Sequence, residues 1–116
     1  RNSGNIALAQ AQQTNAETRS ELINRNSKIE LDNKSIEVSS LIDAIKQYDQ
    51  SVLPATKESL RIAEMGYQAG KISLLEFNSI KQVWLDKHLA RFDLWLALQN
   101  QIAEVERNYV TNLDQE

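Results

Sequence analysis

The sequence has no cysteine, one proline and three glycines among its 116 residues. Without cysteine there are no disulfides and no thiolate metal sites, although that absence says nothing about compartment. With so few turn-forming residues, an architecture of many short elements is close to excluded, and long helices are what remains. No apolar run approaches the ~20 residues that span a bilayer, and no charged start followed by a short apolar block marks a signal peptide. The chain as it stands is expected to be soluble and, starting at Arg1 without methionine, to be a processed product or an excised piece. Basic charge is not in excess either. The net charge is −3, with Lys and Arg scattered among Asp and Glu, so there is no basic stripe to neutralise a phosphate backbone and nucleic acid is not an expected partner.

Reactive chemistry is equally sparse. His88 is the sole histidine, and without a second His, a Cys or suitably spaced carboxylates nearby it makes a poor metal ligand; a seam residue or one exposed between helices is expected. Asp32, Glu37 and Asp43 spread around a solvated face and form no acid/base pair. No nucleophile, phosphate loop or convergent polar cluster is present, so neither an enzyme nor a cofactor is expected.

What is present is helical periodicity, in a chain long enough for one domain at most. From Ile6 to about Gln50 the residues are good helix formers with no Gly or Pro, which predicts one long helix. In its second half Val38, Leu41, Ile45, Tyr48, Val52 and Ala55 recur at alternating steps of three and four, the pattern of a coiled-coil stripe. Traced backwards, the same stripe is mostly small or polar, with Leu31 and Ile23 its only bulky apolar members. Pro54 removes the amide that would bond the carbonyl of Gln50 and crowds that carbonyl, so a kink or short break is expected near residues 50 to 54. Periodicity resumes through Leu60, Ala63 and Tyr67 in roughly the same register, which favours a bent continuous helix over two separate ones.

A second helix is predicted from about residue 73 to about Asn112. Its main stripe is Phe77, Ile80, Trp84, Trp95, Leu98, Ile102, Val105 and Tyr109, interrupted at His88 and Arg91, and Trp84 and Trp95 are expected to fill an interface between helices. A second stripe, Leu85, Leu89, Phe92 and Leu96, means that one antiparallel partner cannot cover this helix. The fold expected is therefore all-α: a long antiparallel coiled-coil hairpin with a first helix over about residues 3–69, a tight turn at 70–72 and a second helix over about 73–112. The unequal arms imply a first helix that overhangs by roughly 35 to 40 Å at 1.5 Å per residue. A lone two-helix hairpin of this size buries too little to be stable, which implies self-association or further chain.

The turn itself, YQAGKISLLEF, reads residue by residue. Gly70 can take the left-handed conformation that ends a helix, so the first helix is expected to stop at about Ala69. Ser73 and Glu76 form S-x-x-E, a capping box in which the Ser oxygen accepts from the Glu76 amide and the Glu side chain returns to the Ser73 amide. Ile72 and Phe77 have the spacing of a hydrophobic staple. Capping explains Gly70, Ser73 and Glu76 as structure; it leaves Tyr67 to Lys71 as an exposed rim.

In their order and separation several segments resemble one family. GYQAGKISLLEF followed by a long helix ending in EVERNYV is similar to the C-terminal helical hairpin of the TolC-type outer membrane efflux channels. SVLPATKESLRIAEMGY resembles the approach to that turn in the heavy-metal cation branch, which includes the CzcC-like proteins, and RNSGNIALAQAQ resembles the segment leaving the membrane β-barrel. The resemblance implies a single periplasmic α-barrel hairpin spanning residues 1–116, a fragment of a trimeric outer membrane channel that lacks its β-barrel strands. Such a channel is the passive exit duct of a tripartite RND-type pump for metal cations or small toxic compounds, fed by an inner-membrane pump through a periplasmic adaptor. It implies that the turn is the periplasmic tip where the adaptor docks, carried here by Tyr67, Ala69, Gly70, Lys71, Ile72 and Ser73. Glu76 matches a position where such channels place acidic side chains at the narrowed entrance, with capping as its other reading; Ser79 stands where a second acidic ring would be. Two alternatives have no transport role in the channel sense: a periplasmic adaptor hairpin, whose Arg-Leu-Ser-like turn is absent here, and a four-helix sensor or interaction domain. The isolated chain is expected to self-associate, as a trimer within the channel or as a dimer alone.

Overall fold

The computed structural model of the chain describes residues 2–114, and among these every regular element is helical. Helix α1 is Asn2–Gln47, a π-helical turn occupies Tyr48–Val52, helix α2 is Leu53–Gln68 and helix α3 is Leu74–Asp114. The protein is an all-α antiparallel hairpin. Its contacts fall into two units, residues 1–35 and residues 36–116.

The first unit is helical backbone with side chains in solvent: residues 2–33 are all exposed, including Ile23 and Leu31. What holds it is local. Helix-forming residues supply propensity, and short i to i+4 contacts add to it: the Thr14 hydroxyl donates to the Gln10 carbonyl at 2.9 Å and Gln13 Nε2 to Glu17 Oε1 at 3.4 Å.

The second unit carries the packing. Tyr67 stacks on Phe77, ten residues along the chain, whereas Asp49 meets Arg91, forty-two residues along, so separation grows away from the turn as it must in an antiparallel pair. Half-buried positions on α3 include Phe77, Ile80, Trp84, Lys87, Arg91, Leu94, Leu98, Gln101 and Val105, an unbroken alternation of steps of three and four, with Ala90, Ala97, Ile102 and Glu104 half-buried beside them. Two expected members of this seam are displaced. Trp95 is 41% exposed and Tyr109 is 63% exposed; Leu94 takes the inward position next to Trp95, while Leu98, Ile102 and Val105 are half-buried as expected. Only that register keeps the alternation unbroken through Lys87 and Arg91, whose aliphatic stems can lie along the seam while their charges reach water.

On the first arm the seam runs through Val38, Leu41, Ile45, Tyr48 and Val52 as the spacing predicts, all half-buried. Ala55, the next expected member, is exposed, and Thr56 takes its place. The π-helical turn is the cause. The Leu53 amide donates to the carbonyl of Tyr48, five residues back, so the turn holds one residue more than an α-helical one and advances the seam by one. Leu60 and Ala63 then fall inward where an unbroken heptad from Val52 would have put residues 59 and 62.

No break separates the two halves: Gln47, Val52 and Leu53 all keep right-handed helical angles, at φ/ψ of −63°/−41°, −69°/−52° and −66°/−43°. Pro54 sits at the start of α2, directly after the wide turn, where a missing amide costs least. The Thr56 hydroxyl lies 3.0 Å from the carbonyls of both Val52 and Leu53 and can donate to either. Ala63 is the one buried hydrophobic residue among those described, 5% exposed.

Candidate functional site

The hairpin tip is built from two capping motifs in series. Helix α2 ends in a Schellman motif: the Lys71 amide donates to the Gly66 carbonyl at 2.8 Å and the Gly70 amide to the Tyr67 carbonyl at 3.0 Å. Gly70 has φ +72°, the left-handed region that this geometry requires and that a Cβ disfavours. Ile72 folds back so that its side chain lies 3.6 Å from where a Cβ on Gly66 would stand, an apolar contact of the kind that accompanies this motif.

Helix α3 then starts from Ser73, whose Oγ accepts from the Glu76 amide at 3.1 Å and whose carbonyl accepts from the Phe77 amide at 3.0 Å. This is an N-cap, worth about 1 kcal/mol. The expected return half of the capping box, from the Glu76 carboxylate to the Ser73 amide, is absent among the described residues, so Glu76 is an exposed carboxylate in the first turn of α3. There it faces the positive end of the helix dipole, which suffices to favour an acid at that position.

The residues expected at the tip are thereby divided. Ala69, Gly70, Lys71 and Ser73 are exposed, and Ile72 is half-buried against Gly66. Tyr67 is 41% exposed yet lies flat on Phe77, with ring centroids 5.3 Å apart and planes at 13°. Lys81 Nζ stands 5.7 Å from the centroid of the same Phe77 ring. The pair of rings ties the end of α2 to the first turns of α3 and leaves the Ala69 to Lys71 backbone presented outward. Leu75, in the first turn of α3, is 78% exposed.

Further along the hairpin the seam carries a polar lock. Arg91 Nε donates to Asp49 Oδ1 at 2.7 Å and Arg91 Nη2 to Asp49 Oδ2 at 3.1 Å, a two-pronged pair that joins α3 to the π-helical turn. This lock occupies what the sequence shows as a gap in the apolar stripe. His88, the other residue of that gap, is exposed and tilts against Trp84 with centroids 4.5 Å apart. Among the described residues no group of three His, Asp or Glu side chains is placed to hold a metal ion, and no helix is long and apolar enough to cross a membrane.

The guanidinium of Arg91, chiefly by hydrogen bonding, holds the Asp49 carboxyl below its ordinary value of 3.8. A carboxylate depressed in the folded state contributes stability that is present above its unfolded value and lost as pH falls through the folded one. The Asp49 contribution is therefore intact at neutral pH and lost below about 3.8. Thermal unfolding followed by circular dichroism should show the wild-type chain losing more stability than Asp49→Asn between pH 5 and pH 2. Glu58, held low by Arg61 on the same helix, titrates in both proteins and cancels from the difference.

Comparison of the chain with protein-family models, with curated proteins and with solved structures finds no match.

Proposed function

We propose that the chain is the periplasmic helical hairpin of a TolC-type outer membrane channel, a stave of the α-barrel through which a tripartite RND-type pump exports metal cations or small toxic compounds. The observation that supports this most is the pair of apolar faces on α3. At 100° per residue, the face through Leu85, Leu89, Phe92 and Leu96 lies about 160° from the seam that meets the first arm. A helix apolar on two opposite sides has the pattern of a stave with a neighbour on each flank, as in a wall of helices. The tight, doubly capped tip fits the end of such a wall, with Ala69, Gly70 and Lys71 as the surface an adaptor would meet and Glu76 at the entrance. On this reading the protein is not an enzyme: it conducts passively, and bending or uncoiling of the hairpins dilates the entrance.

Two measurements test it. The gene that encodes the chain should contain a second, related hairpin and segments of alternating β-strand pattern; a gene without them sinks the reading. In that full-length channel, Gly70→Asp and Lys71→Glu should each abolish resistance to the exported compound while trimers still assemble. Lys71 is exposed and holds nothing in the turn by its side chain, so loss of resistance there reports docking, and unchanged efflux in Lys71→Glu contradicts a docking role for the tip.

A second reading has its own observation. The outer face of α3 carries Lys81 and His88 along one flank and Asp86 and Asp93 along the other, a self-complementary pattern that favours a four-helix interaction domain made from two hairpins, with no transport role.

A further inference from the structure

The outer face of α3 is an apolar surface that the hairpin leaves uncovered. Leu85, Leu89, Phe92, Trp95 and Leu96 are each between 41% and 52% exposed, and Phe92 stacks on Trp95 with ring centroids 6.0 Å apart. We infer that this face pairs with the same face of a second copy of the chain, with the two α3 helices parallel and in register.

The choice of partner follows from what each arm offers. A head-to-tail arrangement would set the α3 face against the outer side of the first arm of another copy. That side exposes Ile36, Ile62 and Met65 but interleaves them with Asp43 and Lys46 on α1 and the Glu58–Arg61 ion pair on α2, with Arg61 Nη1 lying 3.1 Å from the sulfur of Met65. Burying those charges against leucine and phenylalanine would cost more than the contact returns. The α3 face, with its charges at the flanks of Leu85, Leu89, Phe92 and Leu96, matches itself better. A self-matching surface makes a closed two-fold pair, with no tendency to run on into a filament.

Charge decides the direction. Taking Leu89 and Leu96 as a positions and Leu85 and Phe92 as d positions, the flanking e positions are Asp86 and Asp93 and the g positions are Lys81, His88 and Trp95. In a parallel pair each g residue faces the e residue five positions on in the partner chain, which sets Lys81 against Asp86 and His88 against Asp93, twice over by symmetry. An antiparallel pair would instead bring Asp86 against Asp93 at both ends, and like charges so placed repel. All four of these side chains are exposed and able to move: Asp86 accepts from Gln82 Nε2 at 2.9 Å within its own helix, and Lys81 rests over Phe77. Gln82 and Gln99 bracket the apolar stretch at the a and d positions on either side, so the pairing is about two heptads long.

The pairing does not rest on the channel reading and bears on the second one; it is tested on the isolated chain, without reference to the tip. Sedimentation equilibrium should show monomer and dimer exchanging with concentration. Leu89→Lys should raise the dissociation constant by at least about tenfold, with helical circular dichroism unchanged. Asp86→Lys should weaken the dimer, and Lys81→Asp added to it should restore it, an outcome that a purely structural role for either residue would not give. The absence of native cysteine makes direction directly readable. In a parallel pair Gln82→Cys oxidises to a disulfide dimer by itself, as does Gln99→Cys; in an antiparallel pair neither does, and only their mixture cross-links. A chain that stays monomeric, forms trimers, or cross-links only in the mixture overturns the inference.

Discussion

Ala63→Leu should lower the stability of the hairpin by about 1–3 kcal/mol, the usual cost of forcing extra methylenes into a filled contact. For a packed unit of this size the corresponding fall in Tm is roughly 5 to 20 °C. Leucine is nearly as good a helix former as alanine, so the loss is not one of propensity. It arises because position 63 is buried on the inward side of α2, at 5% exposure, where a larger side chain finds no solvent to extend into. The informative control is Ala55→Leu. It makes the same change on the same helix one position away from the seam, at a residue that is exposed, and should stay within about 0.5 kcal/mol of wild type. An uninterrupted heptad from Val52 reverses this expectation, since it points residue 55 inward and turns position 63 outward. Chemical denaturation of the two variants therefore reads the register of α2 directly. Equal effects would contradict the one-residue advance assigned to the π-helical turn.

Single-residue deletions should separate even more widely. Removing Ser51 takes out the surplus residue: Leu53, Thr56, Leu60 and Ala63 then follow Tyr48 at ordinary heptad steps, and both halves of the seam stay inward. The expected loss is less than about 1 kcal/mol, with the Asp49–Arg91 pair displaced by no more than one helical rise. Removing His88, which is equally exposed, has no surplus to absorb it. Every residue beyond it rotates by 100° relative to the turn-proximal half of α3, which swings Leu94, Leu98, Ile102 and Val105 away from the first arm. Those four are half-buried, so each loses about 1 kcal/mol of burial, on the order of 3 to 5 kcal/mol in all. Hydrogen exchange should then show the half of the hairpin remote from the tip opening, while the Tyr67–Phe77 end stays protected.

The sequence shows the π-helical turn in one detail of spacing. From Val52 to Leu60 is eight residues where two heptad steps make seven, and that extra residue, rather than Pro54 alone, is the signal of an inserted turn. Proline marks where a helix is weak; the count marks how the weakness is resolved. A wider turn keeps the backbone helical and moves the seam, whereas a break would leave the two halves free to orient separately.

The tip was legible almost completely, because capping depends on residues within five or six positions of one another. Gly70 at positive φ, Ser73 as N-cap and the exposed rim at Ala69 and Lys71 all follow from local order. Two details escaped it. Ile72 meets Gly66 and Phe77 meets Tyr67, so each apolar residue flanking the cap packs on α2, and the Glu76 carboxylate does not close the box. Gly66 carried no signal as a turn residue, since it lies within α2 and matters through the space it leaves for Ile72.

What the sequence determined by itself is the set of interactions that act along one helix or around one turn: the helical class, the two arms, the caps and the existence of two apolar stripes on α3. Tertiary structure decided which residues of those stripes face inward. Leu94 rather than Trp95, and Thr56 rather than Ala55, are choices between neighbours 100° apart on one helix. No local propensity distinguishes them. They are settled by what stands across the seam, where the buried Ala63 and the reach of Arg91 to Asp49 hold both arms in one register.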